Sequence, residues 1–174
     1  MKKYQDQNRA GYRGIRVLLA GLTMAVLLFG TQSAFAATRT WTGAGADNNW
    51  STAANWGGTA PQVGDDLVFP DSAARMTTNS NDLSGWTLFN SISFTGPAGG
   101  YNIAGNGISL GAGITTANGA TNTISLDIRL AASQTFNVSG AAAGTLTFAG
   151  TIYPTNNTLT LAGPNGLVSA PIAV

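Results

Sequence analysis

The sequence has no cysteine, no histidine and no glutamate in its 174 residues, and it has no lysine after Lys3. Catalytic Ser–His–Asp or Cys–His arrangements and zinc sites built on cysteine and histidine are therefore excluded. Disulfide bonds are excluded as well, so a folded chain must be stabilised by burial of apolar side chains and by backbone hydrogen bonds.

Positive charge is concentrated at the N-terminus. An apolar run at 17–30 follows five basic residues and precedes Ala34-Phe35-Ala36, a small-x-small cleavage motif. The basic residues are Lys2, Lys3, Arg9, Arg13 and Arg16. A run of fourteen residues is shorter than the roughly 20 that span a bilayer, so the pattern favours a cleaved signal peptide over an anchor. We predict a signal peptide over 1–36 and export by the Sec pathway, to the cell surface or the extracellular space, or to the periplasm if further translocation fails.

The chain that remains after residue 36 is poor in charge. It has three arginines and six aspartates, a formal charge of −3. The clustered Lys and Arg that nucleic-acid binding requires are missing, so no nucleic-acid partner is expected, and no membrane span is expected in this part. The segment 37–174 is long enough for one domain, and its many β-branched and aromatic side chains favour folding over disorder.

Apolar residues recur with a period of two after residue 67, which is typical of strands with one buried face. The segment 122–130 predicts one strand with Ile124, Leu126, Ile128 and Leu130 inward. Shorter segments of the same kind are DLVF, SISF, YNI, ISL, TFNV, LTF and TLTL, the last with Leu159 and Leu161 inward. Gly and Asn separate them, as at turns that require positive φ. We predict an all-β fold of very short strands.

Short strands and frequent turns fit a sandwich or a solenoid. The solenoid is favoured because most strands supply two inward side chains, which suits a thin core, and because the outward Thr, Ser and Asn side chains can stack on their like without charge repulsion. The spacing of the predicted strands along the sequence shows no strict period, so a degenerate repeat is predicted over 67–174. A cap is predicted before it, at 37–66.

Three of the four tryptophans, Trp41, Trp50 and Trp56, lie within the predicted cap. The first coil of a solenoid exposes apolar core and an unpaired edge, and large side chains could close that end. An exposed aromatic platform for sugars is the alternative. Gly64, Asp65 and Asp66 precede the first apolar strand and predict a turn with edge charges. Trp86 is expected to belong to an early coil.

The pattern W-T-G-x(6)-W-S-x(3)-N-W at 41–56, followed by Pro61 and by Gly64-Asp65-Asp66, resembles the start of bacterial autotransporter passenger domains. Downstream, SISFTG, YNIAGNGISLGAGITT and LTFAGTI resemble autotransporter-associated β-strand repeats. The resemblance covers nearly all of the chain after residue 36.

The resemblance implies a right-handed parallel β-helix at the cell surface or released from it. Passengers of this family usually end in an outer-membrane β-barrel. No series of amphipathic strands for a barrel follows Leu161, so we expect the barrel to be missing and the repeats to be truncated.

The expected function is that of an exported, non-catalytic module with a structural or adhesive role, and its expected partners are cell-surface glycans or other surface proteins. The alternatives are a carbohydrate-binding adhesin module that uses exposed tryptophans and, less favoured, a polysaccharide lyase or hydrolase. Consecutive strand residues such as Asp65 and Asp66 face opposite sides, which does not suit a shared substrate bond. A single GAGAD segment at 43–47 cannot build stacked calcium sites, so no metal and no cofactor are expected.

Overall fold

The computed structural model describes residues 36–77, 79–97, 100–117, 119–139, 144–163 and 168–169. Within these ranges the chain forms thirteen short strands and one 3-10 helix at Ala53–Trp56. The strands are β1 Thr38–Thr40, β2 Asp66–Pro70, β3 Asn79–Asn81, β4 Thr87–Thr95, β5 Asn102–Gly105, β6 Ile108–Thr116, β7 Thr121–Ile124, β8 Ile128–Leu130, β9 Gln134–Val138, β10 Thr145–Phe148, β11 Ile152–Tyr153, β12 Leu159–Ala162 and β13 Val168–Ser169. The predicted signal peptide lies outside the described residues, apart from Ala36.

All the strand pairs between described residues are parallel, and they define three faces. Face 1 contains the first halves of β4 and β6, with β8 and β11. Face 2 contains β1, β2, the second halves of β4 and β6, β9 and β12. Face 3 contains β3, β5, β7, β10 and β13. A register shift between Phe89 and Ser91 of β4 separates faces 1 and 2. The predicted β-solenoid is confirmed, with about five turns.

The length of each coil follows from the register on face 2. Leu67 pairs with Ile92, Ile92 with Ile114, Ile114 with Phe136, and Phe136 with Leu161. The two middle steps are equal in length, whereas the first and the last are longer. This variation explains why the sequence shows no strict period.

The core is a single apolar column built from alternate residues of the short strands. One of its rows on face 1 consists of Phe89, Leu110 and Leu130, each at most 1% exposed. The prediction of one continuous strand over 122–130 was wrong, because the chain turns a corner between β7 and β8. The four inward side chains of that segment are nevertheless all buried. The inward prediction for Leu161 was also wrong, since its side chain is 48% exposed.

Buried amide side chains occupy corners between the faces. Asn81 Nδ2 donates to the Asn106 carbonyl at 2.7 Å, and Gln134 Nε2 donates to the Leu110 carbonyl at 2.8 Å. Each of these bonds joins one coil to the next at a place where the strand ladder is interrupted. Each amide thus adds a side-chain hydrogen bond between coils at a corner, and the Leu110 carbonyl accepts from the Ala131 amide as well. Among the described residues, no helix has the length and apolar character needed to cross a membrane.

Candidate functional site

Trp41, Trp50 and Trp56 lie together at the N-terminal end of the core, and at most 4% of each side chain is exposed. Trp56 is central: its ring contacts those of Trp41 and Trp50 edge to face, with centroids 5.1 and 5.7 Å apart. All three rings pack on Phe69, which stacks in turn on Phe94 of the next coil. The cluster is therefore continuous with the apolar column.

Two of the three indole N–H groups have partners. Trp41 Nε1 donates to the Arg75 carbonyl at 2.6 Å, and Trp50 Nε1 donates to Asn79 Oδ1 at 3.1 Å. Trp56 Nε1 is buried and has no hydrogen-bond partner. Since these three indoles are buried, a glycan platform formed by them does not fit this geometry.

A loop at 43–49 leads into Trp50 and is held by two polar side chains. Asn55 is fully buried; its Oδ1 accepts from the Gly45 amide at 2.7 Å and its Nδ2 donates to the Asn49 carbonyl at 2.9 Å. Arg75 Nη1 donates to the carbonyls of Gly43, Gly45 and Asp47. The GAGAD segment is thus organised by a guanidinium and an amide of the chain itself.

The predicted cap, 37–66, is an enlarged first coil of the solenoid. β1 pairs with β2 on face 2, and an isolated parallel bridge joins Asn49 to Ser80 on face 3. The step from Arg39 to its partner Leu67 is longer than any later step on face 2. The residues that make this first coil longer include the 3-10 helix, whose last residue is Trp56.

Asp65 is a buried ion-pair partner, whereas the sequence had predicted an edge charge. Its side chain is 4% exposed, and Oδ2 lies 2.8 Å from Nε of Arg39. The amides of Ala37 and Gln62 donate to the same carboxylate, each at 2.9 Å. Burial opposes ionisation, but these hydrogen bonds and the Arg39 charge outweigh it and hold the pKa of Asp65 below its usual value.

Asp66 and Gly64 serve the neighbouring turn. The Asp66 carboxylate accepts from Asn90 Nδ2 at 2.7 Å and from the Ser91 hydroxyl, so it faces a different side from Asp65. Gly64 has φ of 88°, and its amide donates to the Leu88 carbonyl at 2.8 Å. The turn predicted at 64–66 is therefore tied to the next coil by both backbone and side chain.

The described residues offer no cluster of three or more acidic side chains that could hold a metal ion. The titratable groups with perturbed pKa values have structural partners. Burial raises the pKa of Tyr101, whose hydroxyl donates to the Pro70 carbonyl. A hydrogen bond from Thr52, with one from the Asn49 amide, lowers the pKa of Asp47 in the exposed loop.

The outer surfaces of the coils carry rows of mostly neutral polar side chains. Face 2 shows the row Val68, Ser93, Thr115 and Asn137. On face 3 the Thr145 hydroxyl donates to the Thr121 hydroxyl at 2.9 Å. Face 1 differs, because an arginine and several large apolar side chains are exposed there.

Comparison with known proteins gives no relative for this chain. No protein family, curated protein or solved structure matches it.

Proposed function

We propose that the chain is an exported β-solenoid module, displayed at a cell surface or released from it, with a non-catalytic structural and adhesive role. The signal-peptide pattern at 1–36 supports export, and the resemblance of 41–69 and of the downstream segments to autotransporter passenger domains supports display outside the cell. The solenoid fold is compatible with both.

The observation that carries the proposal is the closed N-terminal end of the apolar column. Trp41, Trp50 and Trp56 cover Phe69 there, and β1 is the first strand of face 2. A solenoid needs such an end to stay soluble, because the first coil would otherwise present apolar core to water. A solenoid whose first coil follows soon after the proposed signal peptide requires a closed N-terminal end of this kind.

The rows of polar side chains on the outer surface support a structural or adhesive role rather than a catalytic one. Neutral Thr, Ser and Asn side chains stack along the coils without like-charge repulsion. Asp65 has its pKa lowered by hydrogen bonds and a charged partner, and its carboxylate is occupied by Arg39 and two backbone amides. These contacts give no support to a lyase or hydrolase that would use Asp65 and Asp66.

Export can be tested on the full chain with a C-terminal epitope tag in a Gram-negative bacterial host. We expect the protein outside the cytoplasm with a mature N-terminus at Ala37, as read by intact-mass measurement after fractionation. External protease added to intact cells, and analysis of the medium, distinguish display from release and from retention in the periplasm.

The matched control replaces both small residues of the cleavage motif, Ala34→Arg with Ala36→Arg. This variant should keep its N-terminal segment, because signal peptidase requires small side chains at these positions. A wild-type chain that stays in the cytoplasm with residues 1–36 attached would contradict the proposal.

A further inference from the structure

Face 1 carries an exposed group of side chains that the closed N-terminal end does not involve. Leu88, Ser109, Arg129 and Tyr153 lie opposite one another in successive coils and point outward, on the opposite side from Phe89, Leu110 and Leu130. Trp86 lies just before β4 at the same edge. Leu88 is 38% exposed, Trp86 37% and Tyr153 36%. We call Trp86, Leu88, Arg129 and Tyr153 the outer shelf.

The indole of Trp86 contacts side chains that belong to later coils. Its ring meets that of Tyr153 edge to face, with centroids 5.7 Å apart, and the guanidinium carbon of Arg129 lies 4.2 Å from its centroid. Trp86 and Tyr153 are far apart in sequence but belong to one surface. The three side chains therefore stabilise one another while remaining accessible.

The backbone is adapted to this placement. Trp86 has φ of 63°, a left-handed conformation that is unfavourable for a bulky side chain, and its amide donates to the Gly107 carbonyl at 2.7 Å. Beneath the indole lies Gly107, where a Cβ atom would stand 3.2 Å from Trp86 Cζ3. A strained tryptophan over a glycine is a costly way to keep an aromatic ring outside the core, and such outliers concentrate at functional sites.

Arg129 provides the charge of the shelf. Its side chain is exposed, and no carboxylate lies within 4 Å of its guanidinium in the part of the chain described. The nearest acid in sequence, Asp127, accepts the Thr151 amide at 2.7 Å through Oδ1. Stacking on the indole leaves the N–H groups at the edge of the guanidinium directed to solvent, where a planar carboxylate can accept two of them.

The shelf thus combines two partly exposed aromatic side chains with one planar cation on a parallel sheet. Leu88 and Tyr153 are separated by three strand spacings, or about 14 Å at ~4.8 Å each, which is the length of a short oligosaccharide. Pyranose rings present apolar C–H faces that pack on aromatic rings and hydroxyls that stay in water. The free guanidinium adds a preference for a carboxylate on such a ring.

We propose that the outer shelf binds a short acidic glycan, with a sugar ring packed against the exposed parts of Trp86 and Tyr153 and its carboxylate held by Arg129. This proposal names the ligand of the adhesive role proposed above and rests on it. Trp86 differs from the tryptophans at the N-terminal end, which are buried.

The test uses trigalacturonate as the probe and the full chain, purified from whichever compartment the export assay finds it in. Binding is followed by the indole N–H resonances of the four tryptophans in ¹H–¹⁵N spectra, and the Trp86 signal is assigned as the one that Trp86→Phe removes. We expect trigalacturonate to shift the Trp86 resonance and to leave those of the buried tryptophans in place. Because the chain is assayed after purification, a failure of export and a failure of binding are separate results.

Three variants and two further probes make the assignment specific. Arg129→Gln should weaken binding about tenfold or more, because a charge-assisted contact is lost, and Arg129→Lys should weaken it several-fold because lysine lacks the planar fork. Thr135→Ala, at an exposed position on face 2, should bind as the wild type does. Fully methyl-esterified trigalacturonate tests the carboxylate, and a triaspartate peptide tests whether carboxylates without sugar rings suffice.

Loss of binding in Arg129→Gln together with weak binding of the ester and of triaspartate supports the proposal. An unshifted Trp86 resonance at saturating trigalacturonate overturns it. Equal affinity for the ester or for triaspartate also overturns it, and so does an affinity that neither Arg129 variant changes. Arg129 and Thr135 are both exposed in the folded chain, and unchanged circular dichroism melting will show that the variants fold.

Discussion

Nε of Arg39 lies 2.8 Å from Oδ2 of Asp65, and theirs is the one salt bridge within the described ranges. The register places Arg39 opposite Leu67, whose side chain is inside the core, so the arginine occupies the core-facing row of the first strand. Asp65 supplies the charge that this position requires, and three donors hold its carboxylate.

We expect Asp65→Asn to lower the free energy of unfolding at pH 7 by roughly 2 kcal/mol, because the charged hydrogen bonds are lost and Arg39 keeps its charge. The folded pKa of Asp65 lies below the unfolded value of 3.8. Its stabilisation is therefore complete above the unfolded pKa and is lost as pH falls through the folded pKa. Urea denaturation over a series of pH values from 7 downward should show the largest difference between wild type and variant at pH 7, and this difference should shrink as the pH falls below 3.8 and through the folded pKa. Asp82→Asn, an exposed site, is the control; a pH-independent difference would contradict the ion pair.

Trp50→Ala should lower the free energy of unfolding by roughly 3–5 kcal/mol, because it opens a cavity among the aromatic rings at the N-terminal end. Trp86→Ala removes the same side chain from an exposed position and is the matched comparison. Thermal or urea denaturation measures both. Similar losses in the two variants would show that Trp50 does not close the core as described.

Trp50→Phe and Trp56→Phe should differ although both tryptophans are buried. Trp50→Phe leaves Asn79 Oδ1 without the indole donor, whereas Trp56 Nε1 has no partner to lose. A buried polar group left without its partner costs about 1–3 kcal/mol, so Trp50→Phe should be the more destabilising change by about that amount. Equal urea midpoints for the two variants would contradict the assigned hydrogen bond.

Tryptophan fluorescence should separate the buried and exposed indoles. We expect a blue-shifted emission with a small fraction accessible to acrylamide, since Trp86 is exposed while Trp41, Trp50 and Trp56 are buried. In Trp86→Phe the accessible fraction should nearly disappear. Persistent quenching in that variant would mean that the N-terminal tryptophans are open to solvent.

Gly113→Ala should be strongly destabilising. Gly113 has φ of 107°, and a Cβ atom there would stand 2.2 Å from the Thr135 carbonyl oxygen of the next coil. Gly85→Ala is the control, because its added methyl group would meet no atom within 4 Å. The thermal midpoint of the first variant should fall well below that of the second; equal midpoints would place the coils further apart than described.

The alternation of apolar residues predicted the short strands and most of the core rows, and the few inward side chains per strand with the neutral outward residues favoured the solenoid over a sandwich. The alternation failed where the chain turns a corner. Ile124 and Ile128 keep the same parity across 125–127, so a strand and a bent chain have the same pattern. Leu161 has the pattern of a core residue but is exposed, although its partner Phe136 in the preceding coil is buried.

Asparagine was interpreted as a turn former that tolerates positive φ, and at several corners its role is different. Asn156 has φ of 66°, but Asn81 is absent from the positive-φ residues and acts through its side chain. Composition cannot distinguish these roles, because an amide can bond to a neighbouring coil whose register the sequence does not reveal.

The outer shelf could not be predicted either, because the sequence does not reveal the register between neighbouring coils. Trp86, Arg129 and Tyr153 become neighbours through the coil lengths, which vary. A tryptophan before a strand has the sequence signature of a core residue. Two features of the sequence could have pointed to the outer shelf: Trp86 in the SGW segment, and Gly107. Both are more commonly explained as parts of turns.

The arginine on the inner row of β1 has a consequence for association between molecules. Among the described residues, β1 has β2 as its sole neighbour in the sheet, so its other edge carries free backbone groups. A strand from a second copy that added there would have to bury the Arg39 side chain, which is 23% exposed in its ion pair with Asp65. Inward charge at a terminal strand discourages such templating, and polymerisation from this end is therefore disfavoured while the ion pair remains.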